Sequence, residues 1–472
     1  MAPTLGPLPL ARASLLALRG GASQEMNAAA AAGLLASTAS LTKNILGIGV
    51  LTIAAGMAAG TGVGPATLAI GGFHVMAAYT FILLGELCGS TGLGATCSFE
   101  GLWASTLGES TSWLVSASIG ALTFSVCTVY LICLGELLPP LLAVLRAPTA
   151  LRSRRAGILL AASLVLPACL PKSLAGLSAV SLLGVGALVY TAIFSLLRWA
   201  DGAYSHDGAQ NKGGTTTQLS FYQSMPEALR PDFASVQPWR VSGQTAVLIA
   251  NLGVALCAHF NAPGFYRSLE SASPARFATM GYSAFAAVFF LTLCIALPGY
   301  FTFGANSQPL ILTNYHPTDD AAATCARLAT AASLCCSFPL VFAALREAVL
   351  AVGARGLSEA AMAAFVVPGG RCWWTATLAL PTLAVAIALV VDDLGLVVGL
   401  LGSVLGGGIM YVAPAAMHAA QLLKRGEQGG GGRRALLLAV DAAIAAYGVL
   451  GQMVMGTVVT WRNARATSST SS

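Results

Sequence analysis

The sequence predicts an all-α polytopic membrane protein, and three observations carry the prediction. Charged residues make up 9% of the 472 residues, against roughly 25% in soluble domains. Hydrophobic residues make up 56%, with 52 glycines besides. The apolar residues fall in long runs, and a run of about 20 is long enough to cross a hydrocarbon core as a helix. A soluble chain of this length needs far more charge to cover its surface, which excludes a globular cytosolic enzyme. The net charge of +6 is modest and scattered among loops, so no nucleic-acid footprint is implied.

Eleven windows meet the length requirement, near 36–58, 65–87, 112–138, 155–171, 177–198, 244–266, 277–301, 321–345, 373–391, 394–421 and 434–461. The fourth is short and ends at Pro167 and Pro171. The chain is thus expected to comprise an N-terminal tail (1–35), a transmembrane domain (36–461) and a disordered tail (462–472). Within the domain, 199–243 is a polar stretch without apolar period, read as an exposed loop with a short helix around 218–229. Gly426–Gly432 reads as a flexible loop. Residues 1–24 carry Arg12 and Arg19 and no acid; they suit a cytosolic tail, with a targeting segment as the other reading.

Most cysteines lie inside apolar runs, with no CxxC pair and no histidine at metal-ligand spacing. They are expected to act as small hydrophobes, with no metal site and no cofactor. Arg346, Arg355, Arg371, Lys424, Arg425, Arg433 and Arg434 fall on the cytosolic side if the N-terminus is inside, as the positive-inside rule wants. Arg146, Arg152, Arg154 and Arg155 would then face out, against that rule.

Two spans contain residues that a continuous helix avoids. The first has Gly47-Ile48-Gly49 at its middle and Lys43 one turn earlier; the sixth has His259, Asn261 and Pro263. Glycine frees the backbone, and proline removes a donor and clashes with the preceding turn. At membrane depth, freed N–H and C=O groups are tolerated where they face a polar cavity or a ligand. Either break alone is also what an ordinary kink would leave. Two breaks five spans apart are what an inverted repeat of two five-helix halves requires, each half giving its first helix to a midplane site. Such a site suits a zwitterion, with N–H groups for a carboxylate and freed carbonyls for an ammonium.

From Leu41 to Leu423 the chain resembles the amino acid/auxin permease family. The resembling stretches are KNILGIGVLTIAAGM in the first span, LPKSLAGLSAVSLLGVGALVY (166–190), AHFNAPGFYRSL (258–269) and GYFTFG (299–304). Two more are CARLATAASLCCSFPLVFAALREAV (325–349) and LGLVVGLLGSVLGGGIMYVAPA (394–415). Ala54 stands where the family often has proline. Each match is weak alone, and six in the right order are specific.

The resemblance implies the five-plus-five inverted repeat of the LeuT type with one extra C-terminal helix, the N-terminus in the cytosol, and cation-coupled transport of amino acids. Carried over by position, the substrate carboxylate meets the backbone at Leu46, Gly47, Ile48 and Gly49. The substrate amine meets carbonyls near Leu256, Cys257 and Ala258, with His259 beside them. The coupling ion of sodium-dependent relatives would fall between Lys43 and Ser337. Lys43 departs from that pattern, since an ammonium there repels Na⁺. An intramembrane ionisable residue is costly and points to function, so coupling to H⁺ is expected over Na⁺. The other reading of Lys43 is a side chain snorkelling to headgroups. His259 reads equally as a substrate or proton contact and as a buried imidazole bonded to a carbonyl.

The expected function is secondary active transport of neutral amino acids by alternating access. The alternative of a different class is a membrane amino-acid sensor of the same fold with little flux. No Ser-His-Asp order, phosphate loop or metal cluster supports an enzyme. The expected partners are the amino acid and the lipid bilayer, with no obligate protein partner, in a vacuolar, endomembrane or plasma membrane.

Overall fold

The computed structural model describes residues 33–170, 178–205, 221–424 and 431–470. The readings of residues 1–24, most of the N-terminal tail, 206–220 and most of the glycine loop lie outside them. Among the described residues the chain is all-helical, its only extended pairing a single bridge between Thr61 and Val241. Eight helices are long and apolar enough to cross a membrane, nine if one pair bent by 47° is a single span. This is an integral, multi-pass membrane protein.

That bent pair is the first window: α1 (Leu34–Ile45), a 3-10 turn (Ile48–Thr52) and α2 (Ile53–Ala58). There follow α3 (Val63–Ser90), a short α4 (Phe99–Leu107), α5 (Ser112–Val144), α6 (Arg154–Ala168) and α7 (Ser178–Ala200). The sixth window is split into α8 (Thr245–Ala255), a 3-10 turn (His259–Asn261) and α9 (Ala262–Ser268). After it come α10 (Pro274–Phe303), α11 (Ala321–Gly353), a short α12 (Glu359–Val366) and α13 (Arg371–Val390). The tenth window is α14 (Leu394–Leu400), π turns over Leu401–Gly406 and Gly408–Val412, and α15 (Ala413–Lys424). The last is α16 (Gly431–Ala446), a π turn (Tyr447–Val454) and α17 (Met455–Thr470). All eleven windows therefore fall on helices, although α6 has only 15 residues. The final helix continues to Thr470, past the Trp461 limit read from hydropathy; Ala464, Arg465 and Ala466 are good helix formers and carry it on.

The helices pack as two groups. In one, α1 and α2, α3, α8 and α9, and α10 lie together, with α3 along α10 and α8 against α2. In the other, α5, α6, α11 and α13 lie together, the α5–α11 interface being the most extensive in the molecule. α7 bridges them by touching both α10 and α11. Phe81, Phe277 and Phe285 form the aromatic heart of the first group, Phe81 and Phe277 stacked at 5.1 Å.

The described part of the polar loop is no loose strap. Residues 221–243 contain 3-10 turns at Phe221–Ser224, Glu227–Leu229 and Phe233–Ser235, rather than one helix around 218–229. Pro226, Pro231 and Pro238 interrupt any longer ladder. The segment is bonded to the root of α3, where Gly62, Val63 and Gly64 donate to the carbonyls of Arg240, Gln237 and Pro238. It also meets the end of α10, where Gly304 adopts φ +51° and any side chain would strike the Asp232 carbonyl.

Arg154 donates to Asp392 at 2.8 Å and to the Val391 carbonyl. Part of the dissenting positive charge of the third loop is thus matched by an acid on the same face. Arg346, counted above with the cytosolic positive charges, is buried. Its guanidinium lies 4.1 Å from the Trp373 ring centroid and donates to the Cys169 carbonyl and the Thr377 hydroxyl.

Candidate functional site

The first break follows from its sequence. Leu46 bonds back to the Thr42 carbonyl but takes ψ 77°, and Gly47 is extended at φ −99°, ψ −173°. The helix restarts at Ile48 as a 3-10 turn. Its leading N–H groups, those of Ile48 and Gly49, have no acceptor in the preceding turn, because the extended Gly47 has displaced it. All of Leu46, Ile48 and Gly49 are buried, and Gly47 is half-buried.

The second break lies earlier than Pro263. α8 ends at Ala255; Leu256 and Ala258 take irregular conformations near ψ 2°, and the chain turns through His259–Asn261 before α9. Leu256 and Ala258 are fully buried, while Cys257 is half-buried. Proline at the second position of α9 is at home there, since the first turn of a helix needs no such donor.

The two breaks are apposed. A Cβ on Gly49 would sit 2.7 Å from both Cα and N of Ala255, so the chains touch backbone to backbone. Seven residues on, Gly56 meets Leu248 in the same way, at 2.8 Å from its Cα. The pairing Gly49–Ala255 and Gly56–Leu248 runs antiparallel. Two amides fasten it: Asn251 donates to the Thr52 carbonyl at 2.8 Å, and Asn261 to Asn44 at 3.3 Å. A cavity of about 260 Å³ lies beside this contact, lined by Thr52, Ala55, Ala58, Asn251, Ser307 and Val398 among others, with no charged side chain.

Lys43 sits on α1 facing the second group. Its Nζ donates to Ser333 Oγ on α11 at 3.2 Å, and its side chain covers Gly184 of α7. Ser333 escaped the sequence reading, which named Ser337. The two are four residues apart, on one face of α11, and that spacing is the signal that could have found it. Ser337 is half-buried one turn further along. No carboxylate stands within salt-bridge distance of Lys43 among the described residues.

His259 turns away from the cavity. Its Nε2 lies 3.0 Å from Thr80 Oγ1 and 3.1 Å from the Ala77 carbonyl of α3, and Phe81 meets the ring edge-on. It is fully buried, with Nδ1 unbonded. The carbonyl can accept only from an Nε2–H, which sets the tautomer.

The model of the family described as transmembrane amino acid transporter protein matches residues 31–460. No curated protein matches the chain. Among solved structures the chain is similar to a Na⁺-coupled sialic acid symporter captured substrate-bound and outward-open. The identity is 14%, the alignment covers 95% of this chain and 96% of that one, and the TM-score is 0.50. It is also similar to a manganese transporter of Eremococcus coleocola, with 10% identity, 97% of each chain covered and a TM-score of 0.43.

Proposed function

Because the chain belongs to the transmembrane amino acid transporter family, we propose that it is a secondary active transporter of neutral amino acids, coupled to protons rather than sodium. The eleven windows are its spans, in two inverted five-helix halves with one helix added, N-terminus in the cytosol. The group of α1, α2, α3, α8, α9 and α10 rocks against the group of α5, α6, α11 and α13.

The observation that carries this reading is the apposition of the two broken spans, with Lys43 bonded to Ser333 across the seam. The restart at Ile48 and Gly49 offers N–H groups to a carboxylate, beside Leu46 and Gly47. The irregular turn at Leu256, Cys257 and Ala258 offers carbonyls to an ammonium. The uncharged lining of the neighbouring cavity favours a neutral side chain. His259, bonded to α3, serves this site by holding the turn rather than by touching cargo.

Lys43 takes the place a sodium ion would need between α1 and α11. Its ammonium donates to Ser333; an uncharged amine would hold α11 more weakly, because a charged donor makes the stronger bond. Taking and giving a proton at Nζ therefore tightens and loosens the seam between the groups. Purified protein in liposomes tests this with imposed gradients and a labelled mixture of uncharged amino acids. An inward proton gradient is expected to drive accumulation in the absence of sodium, and Lys43→Met to abolish that drive. Accumulation that follows a sodium gradient alone would overturn the assignment of Lys43.

A further inference from the structure

Outside this site, one titratable pair lies buried between two spans. His418 of α15 and Asp441 of α16 meet at 2.8 Å, Nδ1 to Oδ2, with 9% and 1% of their side chains exposed. Asp441 Oδ1 is buried without a partner. On α3, which packs against α15, the Tyr79 hydroxyl is likewise buried and unbonded, and Tyr79 feels the charges of both Asp441 and Glu86. Tyr79 and Glu86 are seven residues apart, two turns along one face, and Glu86 is exposed near the end of α3.

We propose that His418 and Asp441 form a proton-binding site, reached from the cytosolic end of α3 through Glu86 and Tyr79. This rests on the transport reading above and extends it. With a neutral imidazole and an ionised carboxylate the pair carries one net negative charge in low-dielectric surroundings, which is costly. One added proton neutralises it: Nδ1–H then donates to Oδ2 while Nε2 holds the second hydrogen. The proton enters from water at Glu86 and returns by the same groups when the pair opens, so the pair sets the state of the helices by its charge and is not itself the route across the membrane. Buried polar atoms without partners also call for bridging water, and Tyr79 Oη and Asp441 Oδ1 are two such atoms.

The other titratable groups around the pair are accounted for. Glu100 of α4 is occupied by Ser112 and Ser116 of α5. Lys424, at the end of α15, donates to the Ser105 carbonyl at 2.7 Å, and Arg434 of α16 reaches the Leu423 carbonyl. Tyr411, two turns up the tenth window from His418, is buried with its hydroxyl unbonded beside Tyr447 of the last helix.

Protonation at this place can reach the substrate site through the tenth window. Its π turns carry Gly402 and Gly406, which pack on the backbone of Ala250 and Gly253 in α8, just before the second break. Gln452 of the last helix donates to the Gly402 carbonyl at 2.8 Å. A change in how α16 holds α15 is therefore felt where α8 ends.

The test uses the full chain and two readouts. First, the Tm of the detergent-solubilised protein is measured across pH for wild type and Asp441→Asn. A titrating site makes the difference between their Tm values change with pH; a difference that stays constant at every pH overturns the proposal. Second, proton entry into liposomes is followed with an internal pH dye when a mixture of uncharged amino acids is added. Asp441→Asn is expected to lower amino-acid-dependent proton entry at least tenfold, and entry equal to wild type overturns the role in transport. If wild type moves no protons, the coupling proposed above fails, while the Tm profile still decides whether the pair binds one. Should Asp441→Asn not fold, His418→Gln is read in the same way and is expected to displace the titration.

Discussion

Gly49 leaves no room for a side chain, because its Cα already rests on the backbone of Ala255. Gly49→Ala must push the two broken spans apart, and overpacking of this kind costs about 1–3 kcal/mol. The expected result is a lower Tm in detergent and loss of amino acid uptake in liposomes. Asn251 fails differently. Asn251→Ala removes the buried bond to the Thr52 carbonyl that ties the two breaks, at about 0.5–1.5 kcal/mol, and Asn251→Gln, which keeps the amide, is expected to recover part of the lost Tm. At this scale the sequence shows glycine and proline plainly, since they state a backbone constraint by themselves. It does not show partners: Lys43 bonds Ser333 and not Ser337, and Asn44 meets Asn261, because which face of α11 turns inward depends on packing that no single helix encodes.

At the scale of elements, the start of α11 is the most heavily bonded point outside the spans. Asp320 caps it by accepting from the N–H groups of Ala322 and Ala323, and takes a two-pronged contact from Arg198 at 2.9 and 2.8 Å and the Tyr204 hydroxyl at 3.0 Å. Burial alone would raise its carboxyl, but Arg198, the Ala323 N–H and Tyr204 outweigh burial and hold it below the ordinary 3.8. A carboxyl held low in the folded state adds stability above its unfolded value and loses it as pH falls through the folded one. The Tm is therefore expected to drop as pH goes below about 4, and Asp320→Asn to remove part of that dependence. Asp320→Ala removes the cap and leaves the Arg198 guanidinium with Asp201 alone, a loss of about 1–3 kcal/mol, read as a fall in Tm at neutral pH. Two turns deeper, Arg327 is 1% exposed and donates to the carbonyls of Leu312, Tyr315, His316 and Pro317, so it fixes the whole preceding turn. Helical windows were legible from hydropathy because lipid and core both demand apolar length. The π turns of the tenth window and the seated 221–243 segment were not, since both are set by the neighbours they touch.

For the whole molecule, the cavity beside the broken spans opens on the face that carries the 221–243 segment, near Ser307 and Pro309. With the N-terminus in the cytosol, as proposed above, that face is the non-cytosolic one. Ala58→Cys is expected to react with a membrane-impermeant thiol reagent applied from that side and to be protected by added substrate, with mass spectrometry of its peptide as the readout. No labelling from that side, or labelling that added substrate leaves unchanged, would show the cavity to be closed off from any transport path. The division into two helix groups could not be read from the sequence, because each span is apolar all round and hides which neighbour it prefers.

The bonds from Gly62, Val63 and Gly64 to the 237–240 segment carry a practical corollary. Trp239 lies against Gly64 and is 69% exposed. A tilt at the root of α3 must carry this indole with it and change its wetting. With the other six tryptophans replaced, the emission of this one indole would follow opening and closing without any attached dye.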